Sequence, residues 1–174
     1  MTIWHCNAAV SLDMKLARPD GSVDDWLVAD YPPENIGFEA FLASVDAILM
    51  GRATYEAVLR YGADAWPYPG KRTLVMTSRP LDGAPPEVAV RADLAAAVAE
   101  LEASCGRVWI EGGGLLLRDM MRLGKLDVLE LAVIPIVLGD GVPLFPPGTP
   151  ELNLALEQAR PWIKDALHLI YRRR

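Results

Sequence analysis

Three short segments of this chain combine glycine, hydroxyl and guanidinium groups in ways that suit phosphate binding. The first is Gly51-Arg52-Ala53-Thr54-Tyr55-Glu56. Glycine lets the backbone turn sharply and approach a ligand closely. A helix starting there offers unpaired N–H groups and a positive dipole end, and Arg52 adds a fork of donors for phosphate oxygens. The same residues also fit a plain strand-to-helix turn with a surface arginine. The second segment, Thr77-Ser78-Arg79, follows the apolar run Leu74-Val75-Met76. Its two hydroxyls and guanidinium suit a monophosphate, or simply a turn entering Pro80. The third is Glu111-Gly112-Gly113-Gly114. A double glycine at a helix N-terminus lets the backbone touch a pyrophosphate. The segment matches neither GxGxxG nor the P-loop, having no further glycine at the right distance and no Gly-Lys-Ser/Thr.

All three segments follow apolar runs, and in open α/β sheets ligands collect at the carboxyl ends of strands. The elements that would position them alternate along the chain. Strands are expected at Ile3–Val10, Asp46–Met50 (stopping at Gly51), Arg72–Thr77, Arg107–Ile110 and Val128–Val137. Pro135 inside the last of these suggests an edge position or a bulge. Helical spacing runs through Phe38–Leu42, Thr54–Tyr61 and Leu115–Leu123, the last closed by Gly124. The clearest helix is Asp93–Ala103, with Asp93 as N-cap and Gly106 beyond its end. Leu152–Gln158 and Ala166–Tyr171 alternate like strands with one solvent face and are close enough in sequence to pair antiparallel. The fold class is therefore α/β: a mixed, mainly parallel central sheet with an antiparallel C-terminal hairpin and helices on both faces. The Phe145–Pro150 segment reads as a surface loop, because too little chain follows it to fold alone.

The totals exclude several function classes. At 174 residues the chain makes one domain with a real core. Its net charge of −6 argues against nucleic-acid binding by bulk electrostatics, and Arg172-Arg173-Arg174 is too short to reverse that. Two cysteines, Cys6 and Cys105, make no disulfide framework and point to a reducing, cytoplasmic setting. Cys6 reads as a small buried hydrophobe. Neither His5 nor His168 has the spacing of a metal site, and no metal is expected. No signal core or membrane-length apolar run is visible.

Taken together, "GRATYE", "TSRP", "EGGG" and "PIVLGDGVPLF" resemble the dihydrofolate reductase superfamily, in order and across nearly the whole chain. "AAVSLDMKLA" followed by "DDWL" is closer to one branch, the reductase domain of the bifunctional deaminase-reductase of riboflavin biosynthesis and its free-standing relatives. The resemblance implies a dihydrofolate reductase-like three-layer sandwich, NADPH as cofactor, a small heterocyclic substrate and a homodimer. The implied reaction is of the 5-amino-6-(5-phosphoribosylamino)uracil reductase type. Dihydrofolate reductase proper, or a nucleotide-binding protein without turnover, are the alternatives.

By position, the resemblance gives Gly51, Arg52 and Thr54 to the cofactor phosphates and Thr77, Ser78 and Arg79 to the adenosine 2′-phosphate. Gly112 and Gly113 match the family's paired glycines, joined by a cis peptide, and Gly114 and Leu115 continue that contact. Ala9 and the Leu12–Leu16 loop would border the nicotinamide. Asp13, Lys15 and Glu111 match positions around the substrate pocket and are expected to meet at one cleft. Met14 stands where this branch usually has glycine, so the loop around it is expected to differ. The zinc deaminase half is absent. The carboxylate by which dihydrofolate reductases hold their pterin has its place near Asn35, and neither Glu34 nor Glu39 aligns with it cleanly.

Overall fold

In the computed structural model, which describes residues 1–31, 37–61 and 66–174, the core of the chain is an eight-stranded sheet. In chain order the elements are β1 (Ile3–Ser11), β2 (Lys15–Ala17), a π-helical turn (Asp24–Val28), α1 (Phe38–Ala43), β3 (Ala47–Gly51), α2 (Arg52–Tyr61), β4 (Arg72–Met76) and β5 (Val88–Arg91). They continue with α3 (Leu94–Glu102), β6 (Arg107–Gly112), α4 (Gly114–Arg122), β7 (Val128–Ile134), β8 (Val142–Pro143), β9 (Leu154–Pro161) and β10 (Leu167–Arg173). The large sheet runs β5-β4-β3-β6-β1-β7-β10-β9. Its first six strands are parallel, and the β9–β10 hairpin closes the end antiparallel to β7. The carboxyl ends of β1, β3, β4, β6 and β7 therefore share one edge.

Alternation along the strands sends side chains to two covered faces. On one face Trp4, Cys6 and Val10 of β1 pack with Leu49, Leu74, Ile110 and Leu131 beneath α3 and α4. On the other, Ile48, Met50, Val75 and Trp109 are covered by Tyr55 of α2, by Tyr68 and by Phe38 and Phe41 of α1. Trp26, Tyr31, Ala132 and Ile134 extend this layer. The result is a three-layer sandwich. Asp93 caps α3, its carboxylate accepting from Ala96 N at 3.0 Å. Cys6 is 2% exposed, and burial pushes its thiol up to about 12. No helix among the described residues is long and apolar enough to cross a membrane.

Two local expectations need correcting. Pro135 marks neither an edge nor a bulge: β7 lies inside the sheet between β1 and β10 and simply ends at Ile134, one residue before the proline. Proline has no N–H to continue the ladder, and Ile136 N turns back to Ile134 O at 2.8 Å. Gly106 does not cap α3 either. That helix ends at Glu102, and Gly106 N instead donates to the Asp46 carboxylate at 2.7 Å.

Candidate active site

A cleft of about 1360 Å³ opens along the carboxyl edge of the sheet. This exceeds the usual range of small-molecule pockets, roughly 300–1,000 Å³, and leaves room for two ligands side by side. β3 passes directly into α2 at Arg52, and β6 into α4 at Gly114, so the N-termini of both helices face the same space. Among the residues expected at the site, Ala9, Gly51, Arg52, Thr54, Thr77, Ser78, Glu111, Gly113, Gly114 and Leu115 all line the cleft. Most of its surface is apolar, with Leu16, Val23, Leu27 and Val142 among the residues that line it.

The glycines at the start of α4 play different parts. The Gly112–Gly113 peptide is cis. Gly112 does not line the cleft, and its φ of 112° is what calls for glycine. Gly113 has an ordinary extended φ of −74°, and a Cβ there would meet only Thr54 Oγ1, at 3.8 Å. The open ground between α2 and α4 therefore belongs to whatever the cleft holds. A Cβ on Gly114 would lie 2.2 Å from Pro143 O and 2.9 Å from Leu144 O. Close packing under the 143–146 loop is what requires glycine at this position.

The basic groups are less free than their spacing suggests. Arg52 Nε pairs with Glu56 at 2.7 Å, and Nη1 donates to Pro80 O at 3.1 Å. Its guanidinium ties α2 to the 79–80 turn as well as bordering the cleft. Thr77 Oγ1 accepts from Arg79 N at 3.2 Å, which folds that turn. Ser78 and Arg79 are exposed at the rim, and Arg79 itself does not line the cleft.

Asp13, Lys15 and Glu111 do not converge on the cleft, and only Glu111 of the three lines it. The Asp13 carboxylate is fully engaged elsewhere, accepting from Leu138 N at 3.0 Å, Gly139 N at 2.9 Å and Ser11 Oγ at 2.7 Å. Led by the Leu138 bond, these hold its pKa down to about 2. Asp13 thus fastens the loop after β1 to the loop after β7. Lys15 sits in β2, in register with Pro143 of β8, and its neighbours Leu16 and Ala17 reach the cleft in its place. Met14 adopts a left-handed φ of 59°, a conformation glycine takes without the cost a side chain imposes. We expect Asp13→Asn to lower the melting temperature at neutral pH. Because its folded value is depressed, the stabilisation is present above the usual 3.8 and lost as pH falls towards about 2. Melting curves of the two proteins should therefore draw together across that window.

Glu111 has an environment of a different kind. Its Oε1 accepts from Tyr68 Oη at 2.5 Å, while Oε2 is shut off from solvent with no partner among the described residues. Burial, only partly offset by the Tyr68 bond, raises its pKa to about 8, so the carboxyl is largely protonated at neutral pH. Tyr68 is held by edge-on contacts to Trp109 at 5.5 Å and Trp66 at 5.2 Å, each worth roughly 0.5–1.5 kcal/mol. Its own hydroxyl is raised by burial and by the adjacent carboxylate. Sequence reasoning passed over Tyr68, which lies in irregular chain 43 residues from its partner. The aromatic pair Trp66 and Tyr68 around Pro67 was the available signal. Asn7, which also lines the cleft, was missed inside an apolar strand. Glu34 and Asn35 lie outside the described residues.

The chain is similar to several known proteins. It is 36% identical over 151 residues to the uncharacterized protein YwjB of Bacillus subtilis (strain 168), covering 86% of each chain. It is 26% identical over 174 residues to the uncharacterized protein YyaP of the same organism, covering 94% of this chain and 90% of that one. A crystal structure from Shewanella sp. PV-4, of a protein assigned provisionally to riboflavin biosynthesis, superposes with a TM-score of 0.87 at 28% identity over 99% of both chains. Acinetobacter baumannii RibD shares the fold, with a TM-score of 0.75 at 17% identity, over all of this chain and 58% of that one. The RibD C-terminal domain family matches residues 4–167, nearly the whole length, and this chain belongs to that family.

Proposed function

We propose that this chain is an NADPH-dependent reductase of a pyrimidine-type heterocycle, of the 5-amino-6-(5-phosphoribosylamino)uracil reductase kind. The observation that carries this reading is Glu111, a buried carboxyl bonded to Tyr68 Oη on the wall of a cleft with room for two ligands, where burial raises its pKa to about 8. Family membership and the likeness to the Shewanella structure support it. The cleft fits a dinucleotide: two helix N-termini meet there, and Gly113 leaves the ground between them clear.

When bound, the cofactor would supply the hydride. The chain's own part is to bind, align and protonate. Gly51, Thr54, Gly113 and Gly114 would hold the pyrophosphate, with Ala9 and Leu115 bordering the nicotinamide. Thr77, Ser78 and Arg79 would take the 2′-phosphate at the rim. Tyr68 fixes Oε1 and so orients the Glu111 carboxyl, which on this reading would give its proton to a ring or imine nitrogen. The apolar walls exclude water from the reacting atoms.

This reading predicts tighter binding of NADPH than of NADH. Arg79→Ala should weaken NADPH by about tenfold, the low end for an exposed charge-assisted bond, and leave NADH nearly unchanged. Paired fluorescence titrations of the two cofactors check this. Equal affinities in the unmodified protein would remove the 2′-phosphate assignment.

A further inference from the structure

A second, smaller cavity of about 90 Å³ lies beside the cleft and shares Asn7, Ala9 and Phe38 with it. The space takes about three waters or the edge of one ring. Phe38, Phe41 and Trp162 form its flat aromatic walls, and Glu130 and His168 stand on its floor. None of these polar residues has a part in the chemistry assigned above.

The floor has a defined hydrogen-bonding polarity. Arg160 Nε donates to His168 Nδ1 at 3.1 Å, which makes that nitrogen an acceptor and leaves the proton on Nε2. Nε2 then donates to Glu130 Oε1 at 2.7 Å. His5 Nε2 lies 2.9 Å from Glu130 Oε2, at an angle short of a full hydrogen bond. Burial works against ionisation of Glu130, but contacts from His5 and His168 outweigh it and hold the pKa below the usual value. Glu130 is therefore an anchored carboxylate. Each oxygen has one imidazole beside it, and a carboxylate oxygen can accept more than one bond.

Beside it stands Asn7. The parallel register of β1 and β7 makes Asn7 and Glu130 direct neighbours, one strand spacing apart at about 4.8 Å. The Asn7 backbone carbonyl accepts from Trp109 Nε1 at 3.1 Å, which fixes the strand. Its carboxamide has no partner among the described residues, and Asn7 borders both cavities. An anchored acceptor next to a free amide donor, between aromatic walls, is complementary to a planar ring edge carrying N–H beside C=O.

We infer that the Asn7–Glu130–His168 pocket is the acceptor subsite, taking the N–H/C=O edge of a planar cyclic amide while the rest of that ring extends towards Glu111. Glu130 receives the ring N–H, and Asn7 Nδ2 donates to the adjacent carbonyl. His168 and Arg160 act as positioning residues that keep Glu130 ionised and oriented. This deepens the reductase reading and rests on it for the identity of the neighbouring ligand.

The test is calorimetric titration of the full chain, loaded with NADPH, using 5,6-diaminouracil and its 1,3-dimethyl derivative, whose ring N–H groups are blocked. The unmodified chain should bind the first and take the second at least about tenfold more weakly. Asn7→Ala, which removes no side-chain bond made among the described residues, and Glu130→Gln, which keeps the side-chain volume, should each weaken diaminouracil by about tenfold. NADPH affinity should stay unchanged in both. Failure to bind diaminouracil, equal affinity for the methylated compound, or unchanged affinity in both variants overturns the subsite. A chain that takes NADPH yet fails in any of these ways keeps the reductase reading. A chain that takes no NADPH loses that reading, and the same titrations without cofactor then decide the subsite alone.

Discussion

Glu111→Gln is expected to lower turnover by about a hundredfold or more, the usual effect of removing a general acid, while leaving cofactor affinity within about twofold. Glutamine still offers Oε1 to the Tyr68 hydroxyl but holds no transferable proton on the other side. The unmodified enzyme should lose activity as pH rises through about 8, where the carboxyl ionises. The same substitution should raise stability. Burial lifts the carboxyl from the usual 4.5 to about 8, so between those values the native chain holds a proton that the unfolded chain has released. Stability of the unmodified protein therefore falls as pH rises across this window, by up to ~1.4 kcal/mol per pH unit, and is level on either side. Glutamine does not titrate, so the variant's melting temperature should pull ahead across the window by about 2–4 °C per kcal/mol. Slower turnover combined with a pH-dependent gain in stability distinguishes a protonated catalytic carboxyl from a structural one.

The neighbouring glycines should separate binding from folding. Gly114→Ala drives a methyl group into Pro143 O and Leu144 O, both backbone atoms, with Pro146 Cδ at 3.1 Å. The 143–146 loop cannot yield locally, because Leu144 N is bonded to Met14 O at 2.9 Å and β8 pairs with β2. Overpacking of this kind costs about 3 kcal/mol or more, a fall of roughly 6–12 °C in melting temperature for a chain of this size. Gly113→Ala places its methyl in ordinary contact distance of Thr54 Oγ1 alone. It should melt within about 2 °C of the unmodified protein and yet bind NADPH at least about tenfold more weakly, because the methyl occupies space the pyrophosphate needs. Thermal melts and cofactor titrations of the pair provide the check. Equal loss of stability in both would show that the ground beside Gly113 is packing space rather than ligand space.

The sheet was legible wherever a strand is buried on both faces. Ala47–Met50 is an unbroken apolar run and Leu74-Val75 continues into Met76, with almost no exposure at their centres, and such runs show in sequence. β5 went unseen because it is a four-residue edge strand whose residues are all half-buried. β2 and β8 are too short to show periodicity and exist only through their mutual pairing. The glycine and hydroxyl residues that line the cleft were legible because they follow strands at points the chain order gives away. The proton-holding pair was not, since Tyr68 reaches Glu111 through Trp66 and Trp109, contacts that exist only once the chain is folded. Asp13 was misjudged for a related reason: its partners are backbone N–H groups of Leu138 and Gly139, about 125 residues away, and backbone donors leave no mark in sequence. Glu130, His5 and His168 meet across β1, β7 and β10, so their convergence depends on strand order and register.

On the proposed function, hydride passes from NADPH to a pyrimidine-type acceptor in the cleft that Glu111 lines. The most direct test is to mix the protein with NADPH and 5-amino-6-(5-phosphoribosylamino)uracil and follow NADPH absorbance, with NADH and dihydrofolate as parallel substitutes. The expected result is consumption of NADPH in step with formation of the ribityl product, slower reaction with NADH, and little with dihydrofolate. NADPH bound but not consumed with the aminouracil, or faster consumption with dihydrofolate, would contradict it.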